Sequence, residues 1–136
     1  MAYWLLKTEP GDYSFADLLR EKRTTWSGIR NAAALKNLRA VAKDDQLLLY
    51  HTGDEKAVVG TAKVVKPAYL PAGEKDPKAI AIDIAPVRAL DRPVTLKQIK
   101  ADPRFAEWQL IKIGRLSVVP TQRDQFEAIL ALGESD

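Results

Sequence analysis

The sequence predicts a mixed α+β domain: one small, strongly bent sheet or barrel of five or six strands, flanked by helices. Three observations lead there. Strand and helix signals follow one another in the order β-α-α-β-β-β-α-β-α. The chain has 136 residues, too few for two independent cores or two sheets, so residues 1–136 form a single domain. The opening strand is apolar on both faces, which suits a strand inside a closed sheet rather than at an edge.

That strand is Ala2–Lys7, with Tyr3, Leu5 and Lys7 on one face and Trp4, Leu6 and Thr8 on the other. Pro10-Gly11-Asp12 stops it. Ser14 caps a helix, Asp17 stands near its positive end, and Phe15, Leu18 and Leu19 supply its apolar side. A loop at 24–30 holds Trp26 beside Ser27-Gly28, and Asn31 caps a helix over 32–42. Gln46–His51 is a strongly hydrophobic strand, and 57–65 is another, with Gly60 marking a bulge. Three prolines and a glycine make 66–78 a loop. Alternation of Ile80, Ile82 and Ile84 predicts a half-buried strand. Thr95 and Gln98 have capping-box spacing for a helix over 96–101, which Asp102-Pro103 ends. One or two short strands are expected within 110–119, broken at Gly114. Thr121 then caps a closing helix that buries Phe126, Ile129 and Leu130, and the tail 133–136 is expected to fray.

Composition excludes several classes of function. At 46% hydrophobic and 29% charged residues, the chain is neither disordered nor fibrous. No run approaches the roughly 20 apolar residues of a membrane span, and the N-terminus carries no signal-peptide pattern. The absence of cysteine is compatible with a cytoplasmic location, the one expected. With no cysteine and one histidine, disulfides, thiolate metal sites and two-histidine chemistry are excluded. No metal and no cofactor is expected. Net charge is +3, which permits nucleic-acid binding without arguing for it. A monomer is the expected state.

Four segments carry candidate chemistry, each with a structural alternative. Lys7, on an otherwise apolar face, holds a phosphate or base carbonyl, or else pairs with Glu9 or snorkels outward. Trp26 either plugs the core or walls a pocket. Ser27 neighbours Gly28, which permits close approach of a ligand or a tight turn. Arg30 and Asn31 bring donors and an acceptor to a helix start, or form a surface pair and a cap. Tyr50 and His51 end a strand and point to opposite faces. A lone histidine there is more often structural than catalytic. Asp44-Asp45 and Asp54-Glu55 read as solvated turn charges. Ser117, between apolar neighbours before Pro120, aims inward or simply leads to the Thr121 cap.

In order, Tyr3-Trp4-Leu5-Leu6-Lys7-Thr8-Glu9-Pro10, Trp26-Ser27-Gly28-Ile29-Arg30-Asn31, Leu49-Tyr50-His51 and Arg115-Leu116-Ser117-Val118-Val119-Pro120 resemble the motifs of the EVE domain. Gly60 with Ala62, Asp76-Pro77-Lys78 and Asp83 fall between them as in that family. The EVE domain belongs to the PUA-like superfamily with ASCH and YTH domains. The resemblance spans nearly the whole chain and implies a PUA-like barrel that reads a modified base of DNA or RNA in an aromatic pocket, without catalysis. It places Lys7, Trp26, Ser27, Gly28, Asn31, Tyr50, His51, Leu116, Ser117 and Pro120 around that pocket. The chain departs from the pattern at Ala32, Leu35 and Ala79, where the family usually has an aromatic residue, an arginine and a tryptophan. Two other classes fit the same residues. One is a small nuclease or hydrolase of the ASCH type using Lys7, Tyr50 or His51. The other is a small-ligand or protein-interaction domain that kept the barrel.

Overall fold

A computed structural model describes residues 1–134. The chain lays down β1 (Tyr3–Thr8), α1 (Phe15–Glu21), β2 (Thr24–Trp26), α2 (Ala32–Ala40), β3 (Gln46–His51), β4 (Ala57–Tyr69) and β5 (Ala81–Thr95). It closes with α3 (Leu96–Ala101), a 3-10 turn at Pro103–Phe105, α4 (Gln109–Lys112), β6 (Val118–Thr121) and α5 (Arg123–Leu132). The six strands form one sheet in the order β2-β5-β4-β3-β1-β6. Only β1 and β3 run parallel, and every other pair is antiparallel. The sheet curls, and since its edge strands β2 and β6 are not paired with each other it is a half-barrel and not a closed one.

The core lies where the two-sided apolar strands predict it. Trp4, Leu5 and Leu6 of β1 are buried, as are Leu47, Leu48, Leu49 and Tyr50 of β3, so both faces of the central strands are covered. Helix α1 sits on this sheet through Phe15. A side chain at Gly60 would overlap the Phe15 ring, its Cβ meeting ring carbon at 2.5 Å. Glycine there gives the helix its closest approach, and the β3–β4 register shifts at the same place, between Leu49 and Tyr50. The Ser14–Asp17 and Thr95–Gln98 capping boxes both form.

Several expectations are corrected. Thr24–Trp26 is a strand paired with Ile84, Asp83 and Ile82, not a loop. Strands β4 and β5 are longer than their local signals, and β5 runs through Pro86 and Pro93. This is tolerated because β2 covers β5 only over 82–84, leaving the remainder of that flank as a sheet edge where a missing N–H costs nothing. The stretch 81–84 is fully covered instead of half-buried, since Ala81, Ile82, Asp83 and Ile84 are all buried. Within 110–119 the structure has α4 and then β6, because Trp108 anchors a helical turn: its indole N–H donates to the Pro120 carbonyl at 3.1 Å. The N-cap of α5 is Gln122, whose backbone N–H donates to the Gln125 side chain at 2.8 Å, and Thr121 ends β6. Asp45 is not solvated: it is 2% exposed. Fraying is not seen at Gly133, which is buried against Leu90 and accepts from the Arg92 N–H at 3.1 Å. The rest of that expectation, at 135–136, lies outside the described residues.

Candidate functional site

Two clefts that share no residue hold four of the ten candidate residues. The larger, about 710 Å³, opens where β2 hands over to α2. Trp26 ends β2 in the core, and the chain then leaves the sheet through Ser27-Gly28. Gly28 has φ +79°, a conformation that other residues adopt only at a cost, and this turns the chain toward α2. Ile29 and Arg30 continue the wall. The Asn31 side chain accepts from the Ala34 N–H at 3.0 Å and so caps α2, which sets Leu35 facing the cleft.

The opposite wall is the loop between β4 and β5, through Pro71, Ala72, Glu74, Asp76, Lys78 and Ala79. Its own bonds hold it in shape. The Asp76 carboxylate accepts from the Lys78 N–H at 2.9 Å, and the Glu74 and Ala79 N–H groups donate to Pro71 and Asp76 carbonyls. The lining thus mixes apolar side chains with two cations, Arg30 and Lys78, and two carboxylates. The Ser27 hydroxyl and the Arg30 guanidinium bond to nothing among the described residues, which leaves them free for a ligand.

The smaller cleft, about 220 Å³, lies at the C-terminal ends of the parallel pair β1 and β3. Lys7 and Tyr50, register partners in that pair, form its floor. The turn after β3 adds Thr52, Gly53 and Lys56; α3 adds Leu96 and Lys100; α4 and the turn after it add Leu110, Ile111 and Gly114. The Lys7 ammonium donates to the Gly114 carbonyl at 2.8 Å and stands 5.6 Å from the centre of the Tyr50 ring. Burial pulls the Lys7 pKa below its ordinary value and pushes the Tyr50 phenol above its own.

The ten residues expected around one pocket are therefore distributed. Ser27 and Gly28 line the larger cleft, with Asn31 at its helix start. Lys7 and Tyr50 line the smaller. Trp26 is 8% exposed, meets Tyr13 edge-on at 5.9 Å between ring centres, and lines neither. Leu116 is buried in the core. Ser117 lies alongside β1, its carbonyl accepting from the Lys7 N–H at 3.0 Å, and Pro120 pairs with Trp4. His51 is 8% exposed. Its Nε2 accepts from the Phe15 N–H at 3.0 Å, so the proton sits on Nδ1, which donates to Glu55 at 2.7 Å. Both ring nitrogens are engaged in tying α1 to the β3 turn, so none is left for proton transfer. Among the described residues, no three metal-ligating side chains gather, and no helix is long and apolar enough to cross a membrane.

Sequence reasoning missed the β4–β5 loop as a wall and Lys56 and Lys100 as neighbours of Lys7. The first had a signal, the unusual length of that proline-bearing connection. The second had none, because the three lysines come from distant points in the chain.

Comparison with known proteins gives a consistent result. The model of the EVE domain matches residues 2–132. Mouse thymocyte nuclear protein 1 is 30% identical over 168 aligned positions, covering 98% of this chain and 74% of that protein. A crystal structure of a protein from Agrobacterium tumefaciens is 32% identical, with a TM-score of 0.92 over 98% of this chain and 93% of that one. Human THYN1, crystallised in complex with DNA containing 5-methylcytosine, is 26% identical, with a TM-score of 0.91 over 100% of this chain and 99% of that one. A curled six-stranded sheet with these motifs in this order, matched from residue 2 to residue 132, places the chain in the EVE domain family, with the PUA-like fold of that family.

Proposed function

We propose that this domain binds DNA carrying a modified cytosine and receives that base, extruded from its stack, in the larger cleft. The observation that carries this reading is the cleft itself, with its free polar groups, in a fold shared along the whole chain with a human protein crystallised on DNA containing 5-methylcytosine. The cleft has the donor and acceptor types that cytosine needs. A carboxylate such as Glu74 or Asp76 accepts from the exocyclic amine, and a guanidinium such as Arg30 donates to the ring acceptors. Ile29, Leu35, Pro71 and Ala79 offer apolar contact to the ring face and a C5 substituent. The wrong base leaves one of these groups unpaired, and that is the source of discrimination.

Stacking on Trp26, as the resemblance implies, would require the indole to turn out of the core; polar edge recognition with apolar walls does not. Of the ten residues the resemblance placed at one pocket, Ser27, Gly28 and Asn31 remain in this proposal for the base. Binding to RNA is a second outcome of the same test, and catalysis is not part of the reading because His51 has no free nitrogen. Such a reader works where DNA is, in the cytoplasm of a cell without a nucleus, or in the nucleus, as the relatives' name says of them.

Fluorescence polarisation with DNA and RNA oligonucleotides differing only in one cytosine, plain or 5-methylated, tests the proposal. Ala72→Trp, an exposed lining position whose enlargement fills the cleft, is expected to weaken binding of the methylated DNA at least tenfold with an unchanged melting temperature. Equal affinity for plain and modified cytosine would sink the reading.

A further inference from the structure

The smaller cleft is a different kind of site. Three lysines from three separate elements line it: Lys7 from β1, Lys56 from the turn before β4, and Lys100 from α3. Among the described residues, no carboxylate lines it. Glu9 lies against Gly53 but outside the lining. None of the three lysines forms an ion pair among the described residues, and the hydrogen bond that Lys7 makes is to a neutral carbonyl. Like charges that line one small cleft give it a positive potential, which favours an anion. Lys56 is also held at φ +46°, unusual for a residue with a side chain, while its carbonyl accepts from the Leu96 N–H at 2.8 Å. That bond ties the Lys56 turn to the start of α3, the helix that carries Lys100.

We propose that this cleft binds a dianionic phosphomonoester, the terminal phosphate of a mononucleotide or of a nucleic-acid 5′ end. Lysines act as point charges and suit a compact anion without demanding a planar, bidentate partner. Three of them favour a doubly charged monoester over the singly charged diester of a nucleic-acid backbone. Leu96, Leu110 and Ile111 give the cleft an apolar side against which a sugar or base face can lie. At about 220 Å³ the cleft has room for the phosphate group itself, since a cavity of about 150 Å³ holds a benzene ring, and the nucleoside extends out of its open side. The inference does not rest on the base-binding proposal.

The test is an amide NMR titration at constant ionic strength with 2′-deoxycytidine 5′-monophosphate, its phosphate methyl ester, and unphosphorylated deoxycytidine. The monophosphate is expected to shift the amides of Gly53, Lys56 and Gly114 and to bind at least tenfold more tightly than the methyl ester. The double variant Lys56→Gln, Lys100→Gln changes two exposed side chains and is expected to lose at least tenfold of this affinity. Its preference for methylated over plain cytosine DNA should be unchanged, so failure here is distinguishable from failure of the base reading. Oligonucleotides with a 5′-phosphate or a 5′-hydroxyl separate the sources: a gain from the 5′-phosphate, lost in the double variant, assigns the cleft to strand ends, and no gain assigns it to mononucleotides. Equal binding of nucleoside and monophosphate, equal binding of monoester and methyl ester, or an unchanged affinity in the double variant would overturn the proposal.

Discussion

Asp45 accepts three hydrogen bonds, from the Ala2 N–H at 2.9 Å, the Trp4 indole at 2.9 Å and the Ala42 N–H at 2.8 Å. One carboxylate thereby ties the start of β1 to the end of the α2–β3 connection, where the parallel β1–β3 pairing begins. Truncation leaves all three donors without their acceptor, in a place water reaches poorly. Asp45→Ala is therefore expected to lose about 3 kcal/mol of stability in denaturant unfolding, far more than a solvated turn charge would. Its neighbour Asp44 is exposed, and nothing in the local pattern separates the two. Trp26 shows the same limit. The loop-like context of Ser27-Gly28 left its core and pocket readings open; the structure places it in the core cluster, against Tyr13. Trp26→Ala should cost about 3–5 kcal/mol. A normally folded Trp26→Ala protein that no longer binds DNA would show that the indole serves the ligand instead.

At the scale of elements, the β2–β5–β4 side of the sheet is held by a polar cluster around Asp83, buried on β5. Its carboxylate accepts from Tyr69 at 2.5 Å, Arg23 at 2.9 Å and Thr25 at 3.0 Å, and so joins β4, the α1–β2 connection and β2. Burial pushes the Asp83 pKa up, but the hydrogen bonds from Tyr69, Arg23 and Thr25 outweigh it and hold the group below its ordinary value of 3.8. The folded state thus favours the ionised form. Its contribution to stability is complete above the unfolded-state pKa and is lost as pH falls through the lower folded-state value. Asp83→Asn is expected to flatten the fall in stability below about pH 4, measured as melting temperature against pH. A slope unchanged from wild type would assign the acid sensitivity elsewhere. Strand β2 depends on this cluster because it has three residues and one neighbour in the sheet. Tertiary pairing made it a strand.

For the whole molecule, a net charge of +3 leaves little general attraction for a polyanion. Affinity for DNA is expected to come mostly from the cleft, so the slope of log affinity against log salt should have a magnitude of only about 2–3. A much steeper slope would point to an extended backbone contact outside both clefts. The parts of the fold legible in the sequence are those governed by local rules. The capping boxes at Ser14 and Thr95 need only a few neighbouring residues, and the buried strands at Gln46–His51 and around Leu5 follow from apolar runs longer than a turn. The motif order was legible too, and with it the family. What tertiary structure decided depends on groups far apart in the chain. Pairing with β5 turned Thr24–Trp26 into a strand, Trp108 wound Leu110 and Ile111 into a helical turn, and Ala2, Trp4 and Ala42 made Asp45 a core residue. The candidate site divides the same way. Ser27, Gly28 and Asn31 were legible because one turn carries them all. Lys7, Lys56 and Lys100 line one cleft only because β1, the β3–β4 turn and α3 are packed together, and no periodicity along the chain encodes a shared place in space.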